Sequence, residues 1–97
     1  MSVTGTSPRE AGFSSERAWR LNPQVALRDE SFGALAYHYG NRRLVFLKSR
    51  RLVTLVSSLA EYPSATDAIA ACVPEKSRPA YERALARLAA SEVIDAR

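Results

Sequence analysis

A chain of 97 residues that is 46% hydrophobic and 25% charged can close one core without staples, and its composition excludes fibrous and wholly disordered classes. A single cysteine, Cys72, rules out an intrachain disulfide, a four-cysteine zinc site and a cysteine-ligated iron–sulfur cluster within one chain. The net charge of +4 favours partners of negative charge, and the lack of a signal-peptide pattern or a run of roughly 18 apolar residues predicts a cytoplasmic protein with no membrane span.

Residues 1–18 read as a flexible tail, because Ser, Thr, Gly, Pro and charge dominate and Phe13 is the one aromatic. A single domain is expected over residues 19–97. Trp19 and Leu21 open a denser pattern, and Gln24 to Arg28 alternates as a half-buried strand does. After a break at Asp29, Glu30 and Ser31, the run Ala34 to Tyr39 sets Leu35, Tyr37 and Tyr39 on one face and small residues on the other. Gly40-Asn41 supplies residues that tolerate the positive φ of a tight hairpin, and Arg42 to Leu47 follows as a third strand. The result is an antiparallel meander with the second strand in the centre.

From Ser49 the period changes. Leu52, Leu55, Val56 and Leu59 fall at helical spacing behind a Ser49 cap, and this first helix ends near Tyr62-Pro63. Ser64 with Asp67 caps a short second helix whose stripe is Ala65, Ala68, Ile69 and Cys72. Ser77 caps a third, with Pro79 in its first turn and a stripe of Tyr81, Ala84, Leu85, Leu88 and Ala89. The predicted fold class is α+β: a three-stranded antiparallel sheet followed by three helices.

Catalysis needs convergent groups, and the supply here is thin. His38 alternates with Ala34 and Ala36 and reads as structural or surface, Cys72 on an apolar stripe reads as a buried inert thiol, and Asp29 and Glu30 read as turn residues. Gly33 and Gly40 are too isolated to cradle a phosphate. No catalytic residue, metal ligand or cofactor is assigned. Tyr37, Tyr39 and Phe46 have the spacing of core aromatics as much as of a base-stacking surface.

The third strand carries more. It is an apolar run at a sheet edge with no fourth strand after it, and such an edge is either covered or used, for instance by β-augmentation with an extended peptide. Around it Arg42, Arg43, Lys48, Arg50 and Arg51 fall in one window without an acid, which is either a steering field for an acidic partner or solvated surface.

The stretch from Trp19 to Leu59 resembles the mycofactocin biosynthesis chaperone family, a branch of the precursor-peptide recognition domains related to the pyrroloquinoline quinone peptide chaperone. The resemblance is carried by Leu27-Arg28, Glu30, Phe32 to His38, and Arg43 to Lys48. It implies a winged-helix-like fold in which a precursor peptide lies antiparallel to the third strand, in a groove shared with the third helix. On this chain those positions are Arg43, Leu44, Val45, Phe46 and Leu47 with Tyr81, Leu85 and Leu88. The resemblance also implies a partner, a radical S-adenosylmethionine maturase that holds all the iron–sulfur chemistry and modifies the C-terminal tyrosine of the precursor. Where the family has prolines flanking the glutamate, this chain has Asp29 and Ser31 around Glu30, which leaves that turn less rigid.

Two other readings stand beside it, an oligomerisation or scaffold module and a winged-helix DNA-binding protein with Arg78, Arg83 and Arg87 on a recognition helix. Against DNA binding, only Glu92 to Arg97 follow the third helix, too few for a two-stranded wing.

Overall fold

Period-two alternation between Val25 and Leu47 produces the central sheet. The computed structural model describes residues 13–97; the first twelve residues of the expected tail lie outside the described residues. Strands β1 (Trp19–Leu21), β2 (Val25–Glu30), β3 (Gly33–His38) and β4 (Leu44–Leu47) precede helices α1 (Arg50–Ser58), α2 (Ala65–Cys72) and α3 (Arg78–Ala90), and β5 (Ile94–Ala96) ends the chain. Strands β2, β3 and β4 form an antiparallel sheet with β3 in the centre. The architecture is α+β and winged-helix-like, with three helices after the sheet.

Register decides which face is core. Leu27, Ala36 and Val45 form one cross-strand row and Asp29, Ala34 and Leu47 the next, and Ala34, Ala36 and Leu47 are fully enclosed beneath the helices. The opposite rows are Ala26, Tyr37, Leu44 and Arg28, Leu35, Phe46. Alanine inward is what lets α1 come close, since a larger side chain would hold the layers apart. Tyr39 and Phe46, whose spacing also suits a core, are instead 62% and 54% exposed, and Tyr37 is half-buried.

Ser49 caps α1 by accepting the Leu52 N–H at 2.9 Å, and Ser64 caps α2 by accepting the Asp67 N–H at 3.1 Å. Ser77 occupies the cap position of α3 but makes no side-chain cap bond, so that expectation is corrected: a 3-10 turn over Glu75–Ser77 leads in, and Pro79 supplies the pre-set φ of a first turn. Leu55, Val56 and Leu59 from α1 and the following turn meet Ala65, Ala68 and Ile69 of α2 and Leu85, Leu88 and Ala89 of α3 in one cluster. Each enclosed leucine adds about 1.5–3 kcal/mol of transfer free energy. Cys72 is half-buried rather than enclosed, its Sγ 3.8 Å from Ser58 Oγ.

A small second sheet was not foreseen. Strand β1 pairs antiparallel with β5, Trp19 opposite Ala96 and Leu21 opposite Ile94, and Arg20 Nε donates to Asp95 Oδ1 at 3.0 Å. That bond and the Asp95 charge raise the Arg20 pKa above its ordinary value. Residues after α3 therefore pair with the segment that precedes the central sheet. Of the expected tail, residues 13–18 are held to the domain: Trp19 Nε1 donates to the Ser14 carbonyl at 2.8 Å, and the N–H groups of Ala65 and Thr66 donate to Arg17 and Ser15.

Candidate functional site

Strand β4 is an edge strand, and no other described strand pairs with its outer side. His38 donates its N–H to the Arg43 carbonyl at 2.9 Å, which marks those two residues as a hydrogen-bonded pair of the ladder. Hydrogen-bonded pairs recur every second residue in an antiparallel ladder. By that alternation Ala36 exchanges bonds with Val45 and Ala34 with Leu47, so Val45 and Leu47 point their N–H and C=O groups at β3. Leu44 and Phe46 point theirs away from the sheet. Their side chains lie on the face away from the helices, 55% and 54% exposed.

Past its last residue the edge runs into a cleft of about 190 Å³ lined by Lys48, Ser49, Leu52, Ala80, Tyr81 and Ala84. The Tyr81 hydroxyl lies 3.1 Å from Ser49 Oγ, the same oxygen that caps α1. One serine thus fixes the start of α1 and ties it to α3 across the cleft. Gly33 makes the junction possible. Its φ is +150°, and a Cβ there would run into the Leu47 carbonyl, so only glycine lets β3 cross so close to the end of β4.

Opposite that junction is the loop from β3 to β4. Positive φ there belongs to Arg42, at +63°, and not to Gly40 or Asn41 as expected; the Arg42 N–H closes the loop onto the His38 carbonyl at 2.7 Å. Gly40 is needed for space, because a Cβ would strike Gln24 and the His38 ring. The buried His38 ring accepts the Gly40 and Asn41 N–H groups at Nδ1, at 2.9 and 3.1 Å. Its Nε2 lies 3.3 Å from Asn22 Nδ2 and 4.0 Å from Glu92 Oε1. His38 is a structural residue that shapes the start of β4.

Of the expected peptide-contacting residues, Leu44, Val45 and Phe46 lie in the edge strand, Arg43 directly precedes it, and Tyr81 stands at the cleft. Leu47, Leu85 and Leu88 are enclosed in the core, so they support the groove from beneath rather than line it. Leu52, Ser49 and Ala84 line the cleft and were not singled out for it; the one available signal was that the α1 stripe, widened by Val53, is broader than a single buried face needs. The expected steering residues Arg42, Arg43, Lys48, Arg50 and Arg51 are all exposed, and Arg51 also donates to the Cys72 carbonyl at 2.9 Å and so helps to close α2. Arg78 is likewise engaged, donating to the carbonyls of Val73 and Ala70. A wider hollow of about 480 Å³ lies between Phe13 to Glu16 and the outer side of α3, away from this edge. Among the described residues no three His, Cys, Asp or Glu side chains gather as metal ligands would, and no helix is long and apolar enough to cross a membrane.

The sequence profile of the peptide chaperone MftB family matches residues 18–95. The peptide chaperone MftB of Mycobacterium tuberculosis is 46% identical over 83 residues, covering 84% of this chain and 76% of that protein. The peptide chaperone MftB of Mycolicibacterium smegmatis is also 46% identical over 83 residues, covering 84% of this chain and 81% of that protein. No solved structure matches the chain.

Proposed function

This chain belongs to the peptide chaperone MftB family, and from that premise we propose that it captures the mycofactocin precursor by adding one of the peptide's segments as a fourth strand beside β4. Its role in mycofactocin biosynthesis is that of a non-catalytic chaperone. The observation that carries the binding mode is the outward-facing backbone of Leu44 and Phe46 on an unpaired edge. Main-chain hydrogen bonds to those two residues give affinity that does not depend on peptide sequence, while neighbouring side chains select. On one side of the added strand these are Leu44 and Phe46; beyond its end they are Leu52, Tyr81 and Ala84 at the cleft.

The radical S-adenosylmethionine maturase does the chemistry, in the cytoplasm, and the recognition domain over residues 19–97 brings the peptide to it. Arg42, Arg43, Lys48 and Arg50 attract an acidic precursor segment, so raised ionic strength slows association more than it speeds dissociation. Arg83 and Arg87 are exposed on α3, and the strand after it, β5, pairs with β1 rather than forming a wing hairpin, which leaves duplex DNA the weaker partner.

Proline scanning tests the mode. Proline has no N–H, so at Val45 it removes a ladder bond to β3 and destabilises the sheet. At Phe46 it removes an N–H that no strand uses, and the variant stays folded by circular dichroism yet loses precursor binding. A folded Phe46→Pro variant that binds precursor like the parent overturns the strand-addition mode.

A further inference from the structure

The face of the sheet turned away from the helices is apolar. An antiparallel sheet covered on one side ordinarily shows polar residues on the other. Here the two outward rows that span all three strands are Ala26, Tyr37, Leu44 and Arg28, Leu35, Phe46, and five of those six positions are apolar. Two further aromatics extend the patch. Phe32, 42% exposed, lies with its ring 5.8 Å from that of Phe46, and Tyr39 packs edge-on against Tyr37 at 5.1 Å. A contiguous aromatic surface of this kind marks an interaction site more often than it marks solvent-facing sheet.

The rim carries a net positive charge. Arg28, Arg42 and Lys48 are exposed around the patch, and the one carboxylate at an outward position of the sheet, Glu30, is taken by Arg28 at 2.8 Å. Two copies of this chain packed face to face by a two-fold axis would set like charges against each other, which disfavours a dimer. A folded protein with an apolar patch edged by carboxylates fits instead. The patch is also continuous with the edge of β4, since Leu44 and Phe46 belong to both. A peptide added there turns alternate side chains onto this same face, because residues opposite one another in a ladder project to one side.

We propose that this outer face of the sheet, centred on Phe32, Leu35, Tyr37, Tyr39 and Phe46, is the docking surface for the modifying enzyme, which reads the adaptor and the outward side chains of the bound peptide as one continuous surface. The proposal rests on the peptide-capture reading above. The duties overlap at one strand: the backbone of β4 and the Leu44 and Phe46 side chains meet the peptide, and the sheet face that continues from them holds the enzyme.

The test uses two variants outside β4. Phe32→Ser/Tyr39→Ser strips aromatic area, including the ring that packs 5.8 Å from Phe46, while every residue of β4 stays in place, and Arg28→Glu reverses a charge two strands from β4, roughly 10 Å away. Each adaptor variant is titrated first with precursor peptide and then, as the peptide complex, with the radical enzyme; sedimentation velocity of the parent and flotation with anionic phospholipid vesicles accompany them. The expected result is precursor affinity within about twofold of the parent and enzyme affinity at least about tenfold weaker in both variants. Unchanged enzyme affinity in both variants overturns the proposal while leaving peptide capture intact. Loss of peptide affinity to the same extent shows that the face belongs to the peptide site and also overturns it. A parent dimer that the double variant dissolves, or vesicle binding that it abolishes, assigns the face to a second copy or to a lipid surface instead. Failure of the parent to bind precursor at all refutes the underlying capture reading rather than this surface.

Discussion

The two faces of one small sheet obey opposite rules. On the inner face Ala34 and Ala36 sit fully enclosed under the helices with Leu47 beside them, while on the outer face Leu35, Tyr37, Leu44 and Phe46 carry the larger side chains with no helix of the described residues packed over them. The bulkier residues are thus on the solvent side. Hydrophobicity alone does not say which side of a strand is the core: the inner side must accept helices at close range and so favours small residues, whereas large aromatics left outward are free to meet a partner. Stability is concentrated on the inner side, and the proposed recognition surface is the outer one.

Charge placed on the inner side breaks this division most severely. Leu85→Asp puts a carboxylate into a site with no exposure, and the expected outcome is loss of the cooperative thermal transition, a cost of about 4 kcal/mol or more. A variant that melts like the parent would mean that Leu85 faces the groove after all. Gly33→Ala comes next, because it combines a φ of +150° with a collision at the Leu47 carbonyl; a cost of about 3 kcal/mol is expected in denaturant unfolding. The sharpest comparison uses two leucines of the same strand. Leu47→Ala should cost about 2–5 kcal/mol, and Leu44→Ala, on the other face, about 0.5 kcal/mol. Equal costs would show that the outer face is as structural as the inner.

Much of this was legible before any coordinates. The meander, its strand order, three helices and the Ser49 and Ser64 caps follow from local periods and local cap chemistry, which neighbouring residues encode. The β1–β5 pairing was not legible, because Arg20 and Asp95 stand 75 residues apart and strands of three residues carry too few alternations to register. The hairpin at Arg42 shows a different limit: Gly40 and Asn41 are the residues that favour positive φ, yet steric demand from Gln24 and His38 takes the glycine and leaves the strain to an arginine. At the site, the edge strand was visible as an apolar run with no successor. Which of its backbone groups face outward depends on the hydrogen-bond phase, which a single bond from His38 to Arg43 reveals and composition does not. Leu85 and Leu88 share a helical stripe with Tyr81, but a stripe gives direction and not depth, and only Tyr81 reaches the cleft.

The central claim is that peptide pairs with the outward backbone of β4, and residue-resolved amide hydrogen exchange with and without saturating precursor peptide reads it directly. Val45 and Leu47 amides are already bonded to β3, so they should exchange slowly in the free protein and change little on binding. Leu44 and Phe46 amides should exchange fast in the free protein and slow by at least about tenfold when peptide is bound, as new ladder bonds require. Leu44 and Phe46 amides that exchange at the same rate with saturating peptide would contradict the account, whatever the affinity of the complex.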